Sequence, residues 1–260
     1  FQTAKVGIKY YEGGEKFEEP QGVSPQSYKI EYKVKLNHSE RNGVLTLNEN
    51  ETPFYYEVSN KGETKRKKSE QDGSYQYTIT LKSKNNNKRY QIYYKQKDTL
   101  LNIDYINNEK VLCYENFPNM KWEIQNDTKT ISNYICAKAE TTFRGRKYIA
   151  WFTTEIPIRF GPWKFNDLPG LILQVYEETQ SFTWNVTKIE FIKNSEKLEI
   201  DESLKRISLK DFVKEDEKNK KERGSQLLLK YLERGAKLSG HKHNRGREIK
   251  FEWEEEKKKQ

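Results

Sequence analysis

In Tyr28-Lys-Ile-Glu-Tyr-Lys-Val-Lys-Leu36 every second side chain is Lys or Glu, and those between are apolar or aromatic. Only an extended backbone sends such neighbours to opposite faces, so the run predicts an antiparallel strand with one wet face. The same alternation marks Lys5 to Tyr10, Phe54 to Val58, Tyr75 to Leu81 and Tyr90 to Tyr94. Further strands are expected at Leu101 to Tyr105, Lys110 to Tyr114, Met120 to Gln125, Ile131 to Cys136, Phe182 to Ile192 and Glu248 to Trp253. Turn formers at Gly13-Gly14, Asn85 to Asn87, Asn107-Asn108, Asn126 to Lys129 and Asn194-Ser195 separate these runs at hairpin-like spacing. A helix is expected only from Ser208 to about 238, with Ser208 as N-cap, Asp211 three positions on, and Gly224 as a potential break. The expected fold is mainly β within an α+β class: a meandering antiparallel, strongly twisted sheet or half-barrel, with one C-terminal helical region packed on it. A single domain over 1–260 and a frayed tail at 254–260 complete the expectation.

The segment Arg144 to Leu173 concentrates Trp, Pro and Gly but holds no catalytic triad, metal box or phosphate loop. Pro157 interrupts an extended run from Thr153 to Phe160, Gly161-Pro162 and Pro169-Gly170 are turn pairs, and Leu171 to Val175 is a β-prone apolar run. Trp151, Trp163 and Phe165 have two readings: an exposed aromatic platform for a peptide or sugar, or plugs for a β-sheet core. Glu155 likewise reads as an acid for chemistry or as a structural partner of Arg144 or Arg146, the second being the expectation.

Phe143-Arg-Gly-Arg146, Tyr148, Ala150-Trp151, Glu155-Ile-Pro-Ile158, Gly161-Pro-Trp-Lys-Phe165 and Leu168-Pro-Gly-Leu-Ile172 together resemble the signature of the GLPGLI family, over a segment of 143–175. Asp167 stands where that signature has its first Gly, and Asp is among the residues that tolerate a left-handed backbone. Weaker similarity at Gly43 to Tyr56 and from Met120 to Ala139 extends the resemblance to about half of the chain. It implies a Bacteroidota envelope protein of largely undefined activity. The structural signature would be Glu155, Pro157, Gly161, Pro162, Leu168, Pro169 and Gly170. A binding surface would be carried by Arg144, Arg146, Trp151, Arg159, Trp163 and Lys164, with an outer-membrane β-barrel complex as partner.

Composition narrows chemistry more than it names it. The chain starts at Phe1 and Met120 is its single Met, which fits a mature protein whose signal peptide has been removed and hence a periplasmic or outer-membrane-associated location. No apolar run is long enough for a transmembrane helix. The net charge is +9, but 39 acidic residues are interleaved with 48 basic ones, so nucleic acid is not an expected partner. The densest basic run, Lys65 to Lys68, reads as a solvated hairpin tip. Cys113 and Cys136 are the only cysteines, and either a disulfide or two buried thiols fits their surroundings. His38, His241 and His243 offer neither a compact ligand set nor a base beside a nucleophile, so no metal, no cofactor and no catalytic residue is expected. The leading functional expectation is therefore a protein that is not an enzyme but a binding or accessory subunit of an outer-membrane receptor or transporter. A periplasmic lipid or lipoprotein carrier with an apolar cavity is the alternative, and a carboxylate-dependent hydrolase is the third.

Overall fold

The computed structural model describes residues 10–12, 15–17, 27–37, 39–48, 53–59, 66–71, 74–79, 89–94, 98–192, 198, 200–231 and 246–256. Its strands are β1 Tyr10–Glu12, β2 Glu15–Phe17, β3 Ser27–Leu36, β4 Ser39–Asn48, β5 Phe54–Ser59, β6 Arg66–Gln71, β7 Ser74–Ile79 and β8 Arg89–Tyr94. They continue as β9 Thr99–Ile106, β10 Glu109–Asn116, β11 Glu123–Ile131, β12 Tyr134–Phe143, β13 Arg146–Thr153, β14 Leu171–Glu177, β15 Phe182–Phe191 and β16 Lys205–Ser208. The helices are α1 Leu209–Tyr231 and α2 Glu252–Glu256.

Twelve strands form one twisted, unclosed sheet in the order β11-β12-β13-β14-β15-β3-β4-β5-β8-β9-β10-β16, while β1-β2 and β6-β7 are separate hairpins. Two meanders, β3 to β10 and β11 to β15, are joined where β15 runs antiparallel to β3, with Trp184 opposite Val34. Among the described residues the one parallel pair is β10 with β16. Strand β3 obeys its alternation: Ile30, Tyr32 and Val34 are buried, while Lys33 and Lys35 face solvent. The sheet curls so that β4 and β5, through Leu45, Leu47 and Tyr55, share one core with Cys136, Ala139 and Phe152 of β12 and β13. Fully burying a Leu or Phe side chain among these contributes about 1.5–3 kcal/mol, and this shared interior favours the curl. Ser208 caps α1 as expected, its Oγ accepting from Asp211 N at 3.1 Å. Leu209, Phe212 and Val213 then pack with Ile106, Val111 and Cys113 of β9 and β10.

Several expectations are corrected. The hairpin between β11 and β12 turns at Ser132-Asn133, both at positive φ (48° and 67°), as a two-residue turn between twisted strands requires. Asn126 to Lys129 lies instead within β11, where a register shift between Ile124 and Thr128 absorbs the surplus residues. Glu248 to Trp253 is not a strand; 248–251 is irregular and α2 follows, so Glu254 to Glu256 are helical rather than frayed. Gly224 does not split α1, and Arg66 to Lys68 lies within β6 rather than at a tip. Lys5 to Lys9, Gly13-Gly14, His38, Lys65, Asn85 to Asn87, Asn194-Ser195, 232–238, His241, His243 and 257–260 lie outside the described residues. No helix among the described residues is long and apolar enough to cross a membrane, which says nothing of β-barrels.

Gly170 is needed for space and not for a left-handed backbone: a Cβ there would sit 2.0 Å from the Thr153 carbonyl oxygen. Gly246, at φ +72° with nothing within 4 Å, is the opposite case. Gly170→Ala is expected to destabilise by at least about 2 kcal/mol, and Gly246→Ala by only about 1 kcal/mol of backbone strain. Urea denaturation midpoints of the two variants check this order.

Candidate functional site

The β13–β14 connection folds back on itself from Ile156 to Leu171. Leu171 N donates to Ile156 O at 2.9 Å, Asp167 N to Arg159 O at 2.9 Å, and Gly161 N to Phe165 O at 2.8 Å. Asp167 takes φ 69°, the left-handed backbone expected of it, and Trp163 is forced to φ 54°. Ile156, Trp163, Phe165 and Leu168 are each at most 2% exposed, so the loop is a plug in the mouth of the curled sheet. Trp163 stacks on Trp184 at 5.8 Å and 9°, and Phe165 meets Tyr148 edge-on at 5.0 Å. Such ring pairs add about 0.5–1.5 kcal/mol beyond their buried area.

This plug carries a cation into the interior. Lys164, only 4% exposed, places Nζ 2.5 Å from Glu115 Oε1 and 2.8 Å from Glu248 Oε1. Arg144, in the β12–β13 turn, reaches Glu115 Oε2 through Nη2 at 2.7 Å, Glu248 through Nη1, and Glu252 through Nε at 3.0 Å. The neighbouring Arg247 donates to Glu57 Oε1 at 2.7 Å and lies over the Trp163 ring at 4.9 Å, while Arg41 approaches the other Glu57 oxygen at 3.4 Å. Arg146 pairs with Glu177 at 3.5 Å and donates to Gly246 O at 2.8 Å. Residues 246–252 thus form a clamp across the plug, pinned further by Ile249 N and Lys250 N donating to Arg144 O and by Tyr148 Oη donating to Arg247 O.

Burial opposes the charges of Glu57, Lys164 and Glu248, and their partners outweigh it. Burial alone would raise the Glu248 carboxyl, but Lys164 and Arg144 hold it below the usual carboxylate range. Burial would likewise raise Glu57, and Arg247 and Arg41 bring it down. Lys164 is depressed by burial but more strongly raised by Glu115 and Glu248. A lysine so held stays protonated and is no amine nucleophile at neutral pH; Glu57 and Glu248 stay ionised and are no proton donors.

The expected binding surface is therefore corrected in most of its members. Trp163 and Lys164 are buried, and Arg144 and Arg146 are partly buried with side chains 6% and 13% exposed; Arg159 is 68% exposed and pairs with Asp167 at 3.6 Å. Trp151 is half-buried on the outer side of the sheet, with Lys129 Nζ 4.1 Å over its ring. Glu155 does not pair with Arg144 or Arg146; its Oε1 accepts from Ile135 N at 3.1 Å. Pro157, Gly161, Pro162, Leu168, Pro169 and Gly170 all lie in the plug or its hinges; a Cβ on Gly161 would meet Ile172 Cδ1 at 2.8 Å. Cys113 and Cys136 are free, buried and in different core clusters. Burial pushes their thiols up, to about 12 and about 11. Glu57, Glu115, Arg247 and Glu248 had no signal in the sequence, since each is one of many charges at a strand or loop position. Among the described residues no group of three His, Cys, Asp or Glu could hold a metal ion.

The family model described as the N-glycanase peptide, N-terminal domain, matches residues 36–211. The chain belongs to that family. The match includes the whole 143–175 segment, although the model is not that of the GLPGLI family. The clamp at 246–256 lies outside it. Two solved structures of PNGF-II, in its P21 and C2 space groups, resemble the chain with a TM-score of 0.48 each, at 13% and 14% identity. The likeness covers 73% of this chain in both cases and 33% and 32% of those chains, so this chain spans about a third of their length. No curated protein matches. The expectation that the chain is not an enzyme is overturned by this family membership, because the family is the N-terminal domain of an N-glycanase, an enzyme family.

Lys164→Met leaves Glu115 and Glu248 with Arg144 as their one shared cation, hence with buried carboxylate charge uncompensated, and is expected to destabilise by about 3–5 kcal/mol, read from denaturant midpoints. Glu248 and Glu57 have folded pKa values below that of an unfolded glutamate, so their stabilisation is complete above about pH 4.3 and is lost as pH falls through the folded values. Melting temperatures should drop steeply in that acid range, and less steeply in Glu248→Gln. Iodoacetamide at pH 8 should leave both cysteines unmodified in the folded protein and alkylate both in denaturant, as mass spectrometry would show.

Proposed function

We propose that this chain is the N-terminal domain of an enzyme that removes N-linked glycans from peptides, and that its curled sheet helps engage the glycoprotein. The observation that carries the reading is the family match over residues 36–211, which takes in the sheet from β4 to β16 and the plug. The buried network supports a rigid role for the plug: Glu57, Glu115 and Glu248 are each held by two cations, and its lysine is locked in the protonated form. Glycan release is therefore assigned to groups outside this network. An extracytoplasmic setting, implied by the resemblance to the GLPGLI signature, is proposed with it, because that is where such a protein would meet glycoproteins. The outer-membrane partner reading needed Arg144, Lys164 and Trp163 at the surface, and with these buried it is not taken further.

The test is to incubate the protein carrying this chain with a denatured N-glycosylated protein and to follow free glycan and de-glycosylated peptide by mass spectrometry. Release of glycan is expected, and Gly170→Ala should lower it in proportion to the folded fraction lost. Intact glycopeptide after prolonged incubation, with no retention of the glycoprotein on the immobilised protein, would overturn the proposal.

A further inference from the structure

The face of the sheet that carries Trp151, an indole itself packed in part against the core, holds a line of side chains that the plug and clamp do not use. Across β13, β14, β15 and β3 one ladder row reads Ala150, Val175, Trp184 and Val34, all fully buried, and the adjacent row reads Trp151, Gln174, Asn185 and Lys33, all half-buried or exposed. Tyr176, two residues from Gln174, shares that face and is also half-buried. Lys129 of β11 lies across it, with Nζ 4.1 Å above the Trp151 ring and 2.5 Å from Gln174 Oε1. Gln174 Nε2 donates in turn to Asn185 Oδ1 at 2.6 Å.

Lys129 differs from the other cations of this face. Lys138 is 2.9 Å from Glu140, and Lys33 is 3.5 Å from Glu40, whereas Lys129 has no carboxylate partner among the described residues. Its ammonium is partly desolvated against an indole and bound only to a neutral amide, so it presents an unneutralised positive charge beside an aromatic wall. Beyond it the amides of Gln174 and Asn185 form a hydrogen-bonded pair whose remaining N–H and lone-pair positions can donate to and accept from vicinal hydroxyls. A cation laid over an indole from the neighbouring row, with an amide pair next to that indole, matches a sugar ring that bears a carboxylate: the carboxylate to Lys129, the hydroxyls to the amides, the apolar ring edge to Trp151.

We propose that this face is a binding subsite for an acidic, carboxylate-bearing sugar residue of a glycan chain. The inference rests on the glycoprotein reading above and adds where a glycan is held and which of its residues is read. The Lys129 charge selects the acidic sugar; Gln174 and Asn185 fix its orientation.

The probes are sialyllactose, lactose and acetate, titrated into the full chain by calorimetry, with melting curves recorded for each variant. Sialyllactose should bind saturably and at least about tenfold more tightly than lactose or acetate. Lys129→Met, which keeps the stem over Trp151, should abolish the preference for sialyllactose over lactose without shifting the melting temperature. Asn185→Ala should weaken both sugars by about fivefold, the share of a lost neutral hydrogen bond. Unchanged sialyllactose affinity in Lys129→Met, or acetate binding as tightly as sialyllactose, overturns the subsite. Absence of sugar binding by the wild-type chain also overturns it, and if glycan release from glycoprotein persists in that case, the functional proposal stands without it.

Discussion

The carboxylate of Glu115 meets Arg144 with one oxygen and Lys164 with the other, and Glu248 meets the same two cations through its Oε1 alone. These four residues come from β10, the β12–β13 turn, the β13–β14 plug and the segment before α2, which lie far apart in sequence. Each charge taken singly would face a desolvation penalty of several kcal/mol, so none of the four positions is tolerable until the others arrive. The network therefore specifies the assembled arrangement more than it stabilises it. It ties the β10 end of the open sheet to the β12–β13 end, which no backbone ladder does, since β11 and β16 remain unpaired with each other.

The plug gives that network its position. Pro157, Pro162 and Pro169 restrict the loop backbone, Gly161 and Gly170 let it approach Ile172 and the Thr153 carbonyl, and the aromatic stack of Trp163, Phe165, Tyr148 and Trp184 holds it down. Lys164 follows Trp163 directly, so seating the indole under Arg247 delivers the ammonium to its two carboxylates. Hydrophobic packing thus supplies the energy, and electrostatics supplies the register. A loop locked in this way is a poor moving part, and the outer face around Trp151, free of the clamp, is the more accessible place for a ligand.

Much of the sheet was legible because period two survives wherever one strand face stays wet. In β3 the Lys and Glu residues at alternate positions leave no helical alternative, whereas in β10 Val111, Leu112 and Cys113 are buried in succession because core clusters, one of them with α1, cover both faces. The Asn126 to Lys129 segment misleads because its residues are turn formers by local chemistry; in the fold they are carried through a bulge, and the smaller Ser132-Asn133 pair takes the turn because both residues reach positive φ. Glu248 to Trp253 alternates like a strand, but Glu248 belongs to the buried network, and an alternation of charge with apolar residues looks the same whether a charge meets water or another charge.

The plug segment shows the division most clearly. Sequence alone determined that Gly161-Pro162 and Pro169-Gly170 turn, that Asp167 accepts a left-handed backbone and that the chain is dominated by antiparallel strands, because these follow from φ restrictions and side-chain periodicity that act within a few residues. Which face of the plug is buried, and whether Arg144, Arg146 and Lys164 would be a basic rim or a set of interior cations, was decided only by the tertiary structure. A cation is stable inside only where carboxylates from distant strands converge on it, and that convergence of Glu115, Glu177 and Glu248 is a property of how the sheet curls, which no local pattern encodes.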